Sequence, residues 1–279
     1  MSLQRTPAPP PSHYQTRGPH PYPLSYLDAG QGPLLLLIHG SLCDYRYWKW
    51  QIPALSVSYR VLSPSLRGYW PHAATKEDPT FSVAQHTADL LELVRHVAPG
   101  EPIHILGHSR GAHVALEFAC QAPELTRTLT LADPGFRFEG EPLTPSFHSD
   151  VVELLKVGKI DLALERFVDA VNGTSTWRHM VGWFKSMVRD NAYTLLSQVR
   201  ELQSSVDLNR VTALDCPVLL IGGADSPPRY ADRLDRLERV LPAATRVSIP
   251  LAAHGMNLAN PKVFNNAVLE FLDLSATAS

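Results

Sequence analysis

Long apolar runs are missing from this chain. No stretch approaches the roughly 18 consecutive apolar residues that a membrane-spanning helix requires, so no membrane partner is expected. Cysteine is scarce: Cys43, Cys120 and Cys216 form neither a C-x-x-C pair nor a dense framework. That excludes a disulfide scaffold and leaves free thiols, as in a reducing cytoplasm, as the expectation. Charge excess is missing too. Lys plus Arg number 25 and Asp plus Glu 27, a net charge of −2, which leaves no basic footprint for nucleic acid. There is no H-E-x-x-H and no phosphate loop, and no strand is followed by G-x-G-x-x-G, so neither metal nor cofactor is expected. The first residues lack the apolar core of a secretory signal, again pointing to the cytoplasm. The expected partner is a small-molecule substrate, with the protein a monomer or homodimer.

What is present is ordinary globular material. The chain has 279 residues, 44% hydrophobic and 19% charged, long enough to bury the core of a large α/β domain. Seven prolines in the first 23 residues predict an extended N-terminal arm. Short apolar runs follow at 33–38, 59–62, 103–106, 129–131, 217–221 and 246–249, several ended by glycine. Continuous apolar runs of this length suit strands covered on both faces. Helical patterns lie between them, at 82–97, 109–120 and 262–272. Ser82 and Gln85 read as a capping box for the first of these. The alternation predicts an α/β fold, a mostly parallel sheet with helices on both faces.

One region interrupts the alternation. Residues 136–205 carry only helical patterns. They divide the chain into the arm 1–23, a core of 24–135 plus 206–279, and a helical insertion. Ligands of open α/β sheets bind beyond the carboxyl ends of the strands. An insertion leaving such an end is expected to lie over that crevice as a cap.

Gly107-His108-Ser109-Arg110-Gly111 matches G-x-S-x-G, after an expected strand and at the start of an expected helix. A tight strand-to-helix turn forces its central residue into a strained conformation and projects the serine Oγ from the sheet edge. The flanking glycines let neighbouring backbone approach. The helix start offers unpaired N–H groups and a partial positive charge.

With these residues the chain resembles the α/β-hydrolase superfamily from about residue 22 to 274. His39-Gly40, after the first apolar strand, looks like that family's oxyanion loop. Leu66-Arg67-Gly68 looks like its D-x-R-G-x-G turn, but Ser65 stands where Asp is usual and Tyr69-Trp70 replace small polar residues. The resemblance implies a nucleophile, an acid and a histidine in that chain order. Ser109 would be the nucleophile and His254, between the last strand and last helix, the base. Two acids are candidates. Asp225 follows the strand at 217–221 and is favoured by the family's usual placement; Asp133, in Asp-Pro-Gly, follows the preceding strand and otherwise reads as a turn. The oxyanion donors expected are the backbone amides of Arg110 and Ser41, with Leu42 second to Ser41. The Arg110 side chain is expected to pair with an acid beneath the sheet or to meet a substrate carboxylate. Leu42, Trp177 and Trp183 are expected pocket residues, as are others among Cys43, Asp44, Tyr45, Trp48, Phe184 and Tyr193.

The implied chemistry is hydrolysis of a carboxylic ester or lactone through an acyl-serine. Carbon–carbon bond hydrolases and cofactor-free ring-cleaving dioxygenases resemble the chain as well, the latter partly through the loop C-D-Y-R-Y-W at 43–48. A ligand-binding receptor on the same fold is the non-enzymatic alternative. Haloalkane dehalogenase and epoxide hydrolase chemistry is disfavoured, because it needs a carboxylate where Ser109 stands.

Overall fold

The computed structural model describes residues 11–141 and 148–277. The start of the expected arm, six residues of the expected cap and the last two residues of the chain lie outside the described residues. Among the described residues, eight strands form one sheet: β1 (Ser12–Gln15), β2 (Pro23–Ala29), β3 (Leu34–Ile38), β4 (Arg60–Pro64), β5 (Ile103–His108), β6 (Thr126–Ala132), β7 (Val218–Gly223) and β8 (Thr245–Ile249). Their order is β1-β2-β4-β3-β5-β6-β7-β8. Pairing is parallel from β4 to β8, while β1 and β2 are antiparallel. The expected mostly parallel sheet is therefore present.

Central strands are buried along their whole length because helices cover both faces. Every residue of β3 and of β5 is buried. One apolar cluster, including Ile105, Val114 and Phe118, lies on one face. Another, including Trp48, Ile221 and Phe264, lies on the other. The helix Val83–Val97 starts at Ser82, whose hydroxyl accepts from Gln85 N at 3.1 Å. The reciprocal half of the expected capping box is absent, since the Gln85 side chain bonds Asp89 instead, at 2.9 Å.

Two features depart from the sequence reading. The inner end of the extended arm joins the sheet of the core: Ser12–Gln15 pairs with β2 as an edge strand, and Arg67 donates to the His20 carbonyl at 2.6 Å. The helix Pro228–Val240, between β7 and β8, was not marked by apolar periodicity. Its buried residues are only Tyr230, Leu234 and Leu237, so a charged stretch carries a narrow apolar stripe.

Between β6 and β7 the chain forms helices at His148–Lys156, Ile160–Asn172, Thr176–His179, Gly182–Asp190 and Thr194–Gln198. They share a buried cluster of their own, including Leu155, Leu164, Phe167 and Trp177, which Leu42 joins from the β3 side. The two ends of this excursion meet at a single bridge, Phe138 with Val206.

The sheet order positions the site. From β3 the chain goes first to β4 on one side, then returns to β5 on the other. The crevice at a reversal of this kind, beyond the strand ends, is where open α/β sheets hold ligands. The loop after β3 and the turn after β5 face each other across it.

Candidate active site

Ser109 is the residue between β5 and the helix Arg110–Gln121, with φ 56° and ψ −122°. A non-glycine residue keeps such a conformation only where its surroundings enforce it. Here they are backbone contacts. A Cβ on Gly107 would stand 2.4 Å from Gly111 O, and one on Gly111 would stand 2.3 Å from Ile38 O. Both positions of the motif must lack a side chain for the turn to close.

His254 Nε2 lies 2.9 Å from Ser109 Oγ. His254 Nδ1 lies 3.2 Å from Asp133 Oδ2. Asp133, not the favoured Asp225, is thus the carboxylate at the imidazole. The reason lies at the end of β7. Gly222 and Gly223 have no side chains, and a Cβ on Gly223 would fall 2.4 Å from Ala253 O and 2.5 Å from Ala252 O. The loop carrying His254 therefore crosses directly over β7 and reaches β6, where Asp133 sits. Asp225 holds that loop from outside through its backbone, donating N–H to Ala252 O at 2.9 Å, while its side chain is exposed.

The imidazole is gripped on several sides. The Tyr230 ring stacks on it at 4.1 Å and 16°. His108 donates from Nε2 to the His254 carbonyl at 2.7 Å and turns Nδ1 to the Tyr47 hydroxyl at 3.1 Å. Ser226 donates to Asp133 Oδ2 at 2.5 Å. Burial pushes the Asp133 carboxyl up to about 6, against the Ser226 bond that lowers it. Burial, then the Arg229 and Arg233 charges, push His254 down to about 3. At neutral pH the pair is an ionised Asp133 beside a neutral His254, with Nε2 ready to accept a proton from Ser109. His108 is also held neutral by burial, down to about 3.

Ser41 and Leu42 follow β3 and line the same cavity as Ser109, Arg110 and His254. The loop passes close: a Cβ on Gly40 would be 2.9 Å from Ser109 Cβ. Among the described residues, the amides of Ser41 and Arg110 make no backbone hydrogen bond, which leaves them free to donate. His39 sets the loop, donating from Nδ1 to Gly40 O at 2.8 Å and accepting from Leu66 N at 3.0 Å. Asp44 accepts from the Asn191 amide at 2.7 Å, and Asn191 also accepts from Trp70 N at 2.7 Å, tying the loop to the helical excursion.

The Arg110 side chain meets an acid, as one of its two expectations had it, but not beneath the sheet. It forms a two-point pair, at 2.5 and 2.6 Å, with Glu201 on the 3-10 helix Val199–Gln203 that ends the excursion.

The cavity measures about 810 Å³. Leu42, Cys43 and Phe184 line it, whereas Trp177 and Trp183 do not. Trp177 is buried in the cluster of the excursion. Trp183 precedes Phe184, and successive helical side chains point about 100° apart, so with Phe184 toward the cavity the indole turns to the Lys49 ammonium at 4.3 Å. Trp48 is wholly buried in the core, and Asp44, Tyr45 and Tyr193 also stay off the cavity wall. Tyr47, Tyr230, Arg229 and Arg233, which line the cavity, were not singled out in the sequence. Tyr230 sits on the helix that periodicity did not mark.

Among the described residues no cluster of His, Cys, Asp and Glu could hold a metal ion, and no helix is long and apolar enough to cross a membrane.

Comparison with known proteins agrees with the fold. The Alpha/beta hydrolase family model matches residues 35–267. A probable oxidoreductase, EphD, of Mycobacterium bovis is 23% identical over 276 residues, covering 88% of this chain and 46% of that protein. The chain thus spans about half the length of that relative. A pimeloyl-[acyl-carrier protein] methyl ester esterase of Nitrosomonas europaea is 28% identical over 253 residues, covering 84% of this chain and 94% of that one. A thermophilic esterase from Thermogutta terrifontis superposes with a TM-score of 0.79 at 22% identity, over 95% of this chain and 99% of that one. With its sheet order, its strained serine turn and a family match over most of its length, the chain belongs to the alpha/beta hydrolase family.

Proposed function

We propose that this protein hydrolyses a carboxylic ester or lactone through an acyl-serine intermediate, with Ser109, His254 and Asp133 as the catalytic set. The observation that carries the reading is the continuous contact from Ser109 Oγ to His254 to Asp133, at 2.9 and 3.2 Å. The esterases among the similar proteins support it.

In this reading Ser109 Oγ attacks the substrate carbonyl as its proton passes to His254 Nε2. Asp133 stabilises the imidazolium and holds its orientation. The amides of Arg110 and Ser41 receive the developing oxyanion. His254 then returns the proton to the departing alkoxide, leaving the acyl group on Ser109. Water attacks that ester, its proton goes to His254, and the acid leaves as Ser109 recovers the proton. Residues 136–205 act as a cap that supplies the far wall of the cavity and limits water.

A fluorophosphonate probe tests this reading. Folded protein should be labelled once, on Ser109, and Ser109→Ala should be neither labelled nor active on p-nitrophenyl esters. An activity that survives Ser109→Ala and consumes oxygen would overturn the acyl-serine reading in favour of dioxygenase chemistry.

A further inference from the structure

The cavity beside Ser109 carries an excess of positive charge. Arg110, Arg137, Arg229 and Arg233 line it, against Glu141 and Glu201. Both carboxylates are engaged, Glu201 by Arg110 and Glu141 by Arg236. Arg137, Arg229 and Arg233 form no ion pair among the described residues, and the residues outside them contain no Asp or Glu. Arg137 is spent on the neck of the excursion, donating to Glu141 O at 2.6 Å and Gln203 O at 3.3 Å.

Arg137 Nε and Arg110 Nη1 also lack partners among the described residues, so what sets Arg229 and Arg233 apart is their place beside His254. They stand one turn apart on the helix Pro228–Val240, on either side of the Tyr230 that stacks on His254. Arg229 uses one nitrogen, Nη2, on the carbonyls of Ala170 and Val171. Among the described residues, Arg233 makes a single long contact to Arg229 O at 3.4 Å, and its Nε is buried with no partner. Buried guanidinium donors without acceptors are costly. One such donor, Arg233 Nε, one turn from a second arginine and beside His254, therefore points to an anion supplied from outside the chain.

We propose that Arg229 and Arg233 form an anion subsite, and that the ester or lactone cleaved at Ser109 carries a free carboxylate which they bind. The proposal rests on the hydrolase reading above and narrows its substrate class. Two guanidinium forks suit a planar carboxylate. The apolar wall of Phe167, Val168 and Val171 suits a short carbon chain between that carboxylate and the scissile carbonyl. The arrangement also couples binding to chemistry. In the empty site the two positive charges oppose protonation of His254. A bound carboxylate offsets them and lets the imidazole take the Ser109 proton more readily, so an anionic substrate gains in kcat as well as in KM.

The test compares mono-p-nitrophenyl glutarate with p-nitrophenyl butyrate. The native protein should favour the glutarate ester in kcat/KM, and Arg233→Gln should lower that ratio about tenfold or more, the scale of one charge-assisted contact. Arg233→Lys, which keeps the charge, should retain most of the preference and guards against a loss that merely reflects misfolding. A native preference for the butyrate, or a ratio unmoved by Arg233→Gln, overturns the proposal. Calorimetric titration of Ser109→Ala with glutarate separates this from failure of the hydrolase reading, because it needs no turnover. Glutarate should bind, and binding should weaken in Ser109→Ala carrying Arg233→Gln. No heat with glutarate, or tighter binding of inorganic phosphate, overturns the carboxylate assignment.

Discussion

Arg110, the residue directly after Ser109, is locked to Glu201 by two charge-assisted hydrogen bonds in a nearly closed environment, with side-chain exposures of 5% and 13%. Its Nη2 also faces His86 Nδ1 at 2.8 Å, and its guanidinium lies over the Phe81 ring. The start of the serine helix and the end of the helical excursion are therefore fastened to each other. Removing one partner of a buried pair leaves a charge stranded, which costs about 3–5 kcal/mol. Glu201→Gln should lower the unfolding free energy measured in urea by an amount in that range, and the midpoint with it. An unchanged midpoint would show that the pair contributes nothing net to stability.

The acid can be assigned by paired substitutions. Asp133→Asn should lower kcat by about four orders of magnitude while the protein stays folded, because the imidazole loses its tautomer and its counter-charge. Asp225→Asn should stay within a few-fold of the native rate, since the exposed Asp225 acts through its backbone amide. Steady-state kinetics on one p-nitrophenyl ester, with circular dichroism as a folding check, decides between them; the reverse ranking would restore Asp225.

The pH profile follows from the buried pair. Asp133 is raised to about 6 by burial, so below that pH it takes a proton and can no longer stabilise an imidazolium. The proton on His254 is held down to about 3, so its neutral form is not limiting there. The two groups titrate as a unit. The expected kcat/KM rises with pH through about 6 and then levels. A profile flat down to pH 4.5 would contradict this electrostatic picture.

Two glycines should be intolerant for different reasons. Gly40→Ala would drive a methyl against Ser109 Cβ, and Gly223→Ala would push the His254 loop off β7. Misplacement of reacting groups by about 1 Å can cost some hundredfold in rate. Both variants should lose kcat on that scale. Crystal structures would show displacement of Ser109 in the first and of His254 in the second.

Trp177→Ala separates packing from recognition. Trp177 is buried but does not line the cavity, so the change should cost about 3–5 kcal/mol of stability. At temperatures where the variant is folded, relative kcat/KM values across p-nitrophenyl esters of graded acyl length should keep the native order. A reordered preference would place the indole at the substrate after all.

The local sequence carried much of this protein. An unbroken run such as LLLLI at β3 can be buried only in a sheet covered on both faces, and Gly-x-Ser-x-Gly between a strand and a helix demands a turn that expels the serine side chain. The helical excursion was legible for the same reason, since a 3.6-residue period declares its own geometry. Tertiary structure decided what touches what. Asp133 and Asp225 each follow a strand, and local sequence cannot distinguish them. The difference arises because two side-chain-free residues at the end of β7 allow the histidine loop to pass across it. Trp177 and Trp183 looked like pocket material by residue type, but helix rotation turned them away. Arg229 and Arg233 lie on the charged helix that apolar periodicity does not mark. They become a candidate anion site only because that helix docks Tyr230 against His254, bringing two positive charges into a cavity whose carboxylates are already engaged. Such relations depend on packing between segments distant in sequence, and no local pattern encodes them.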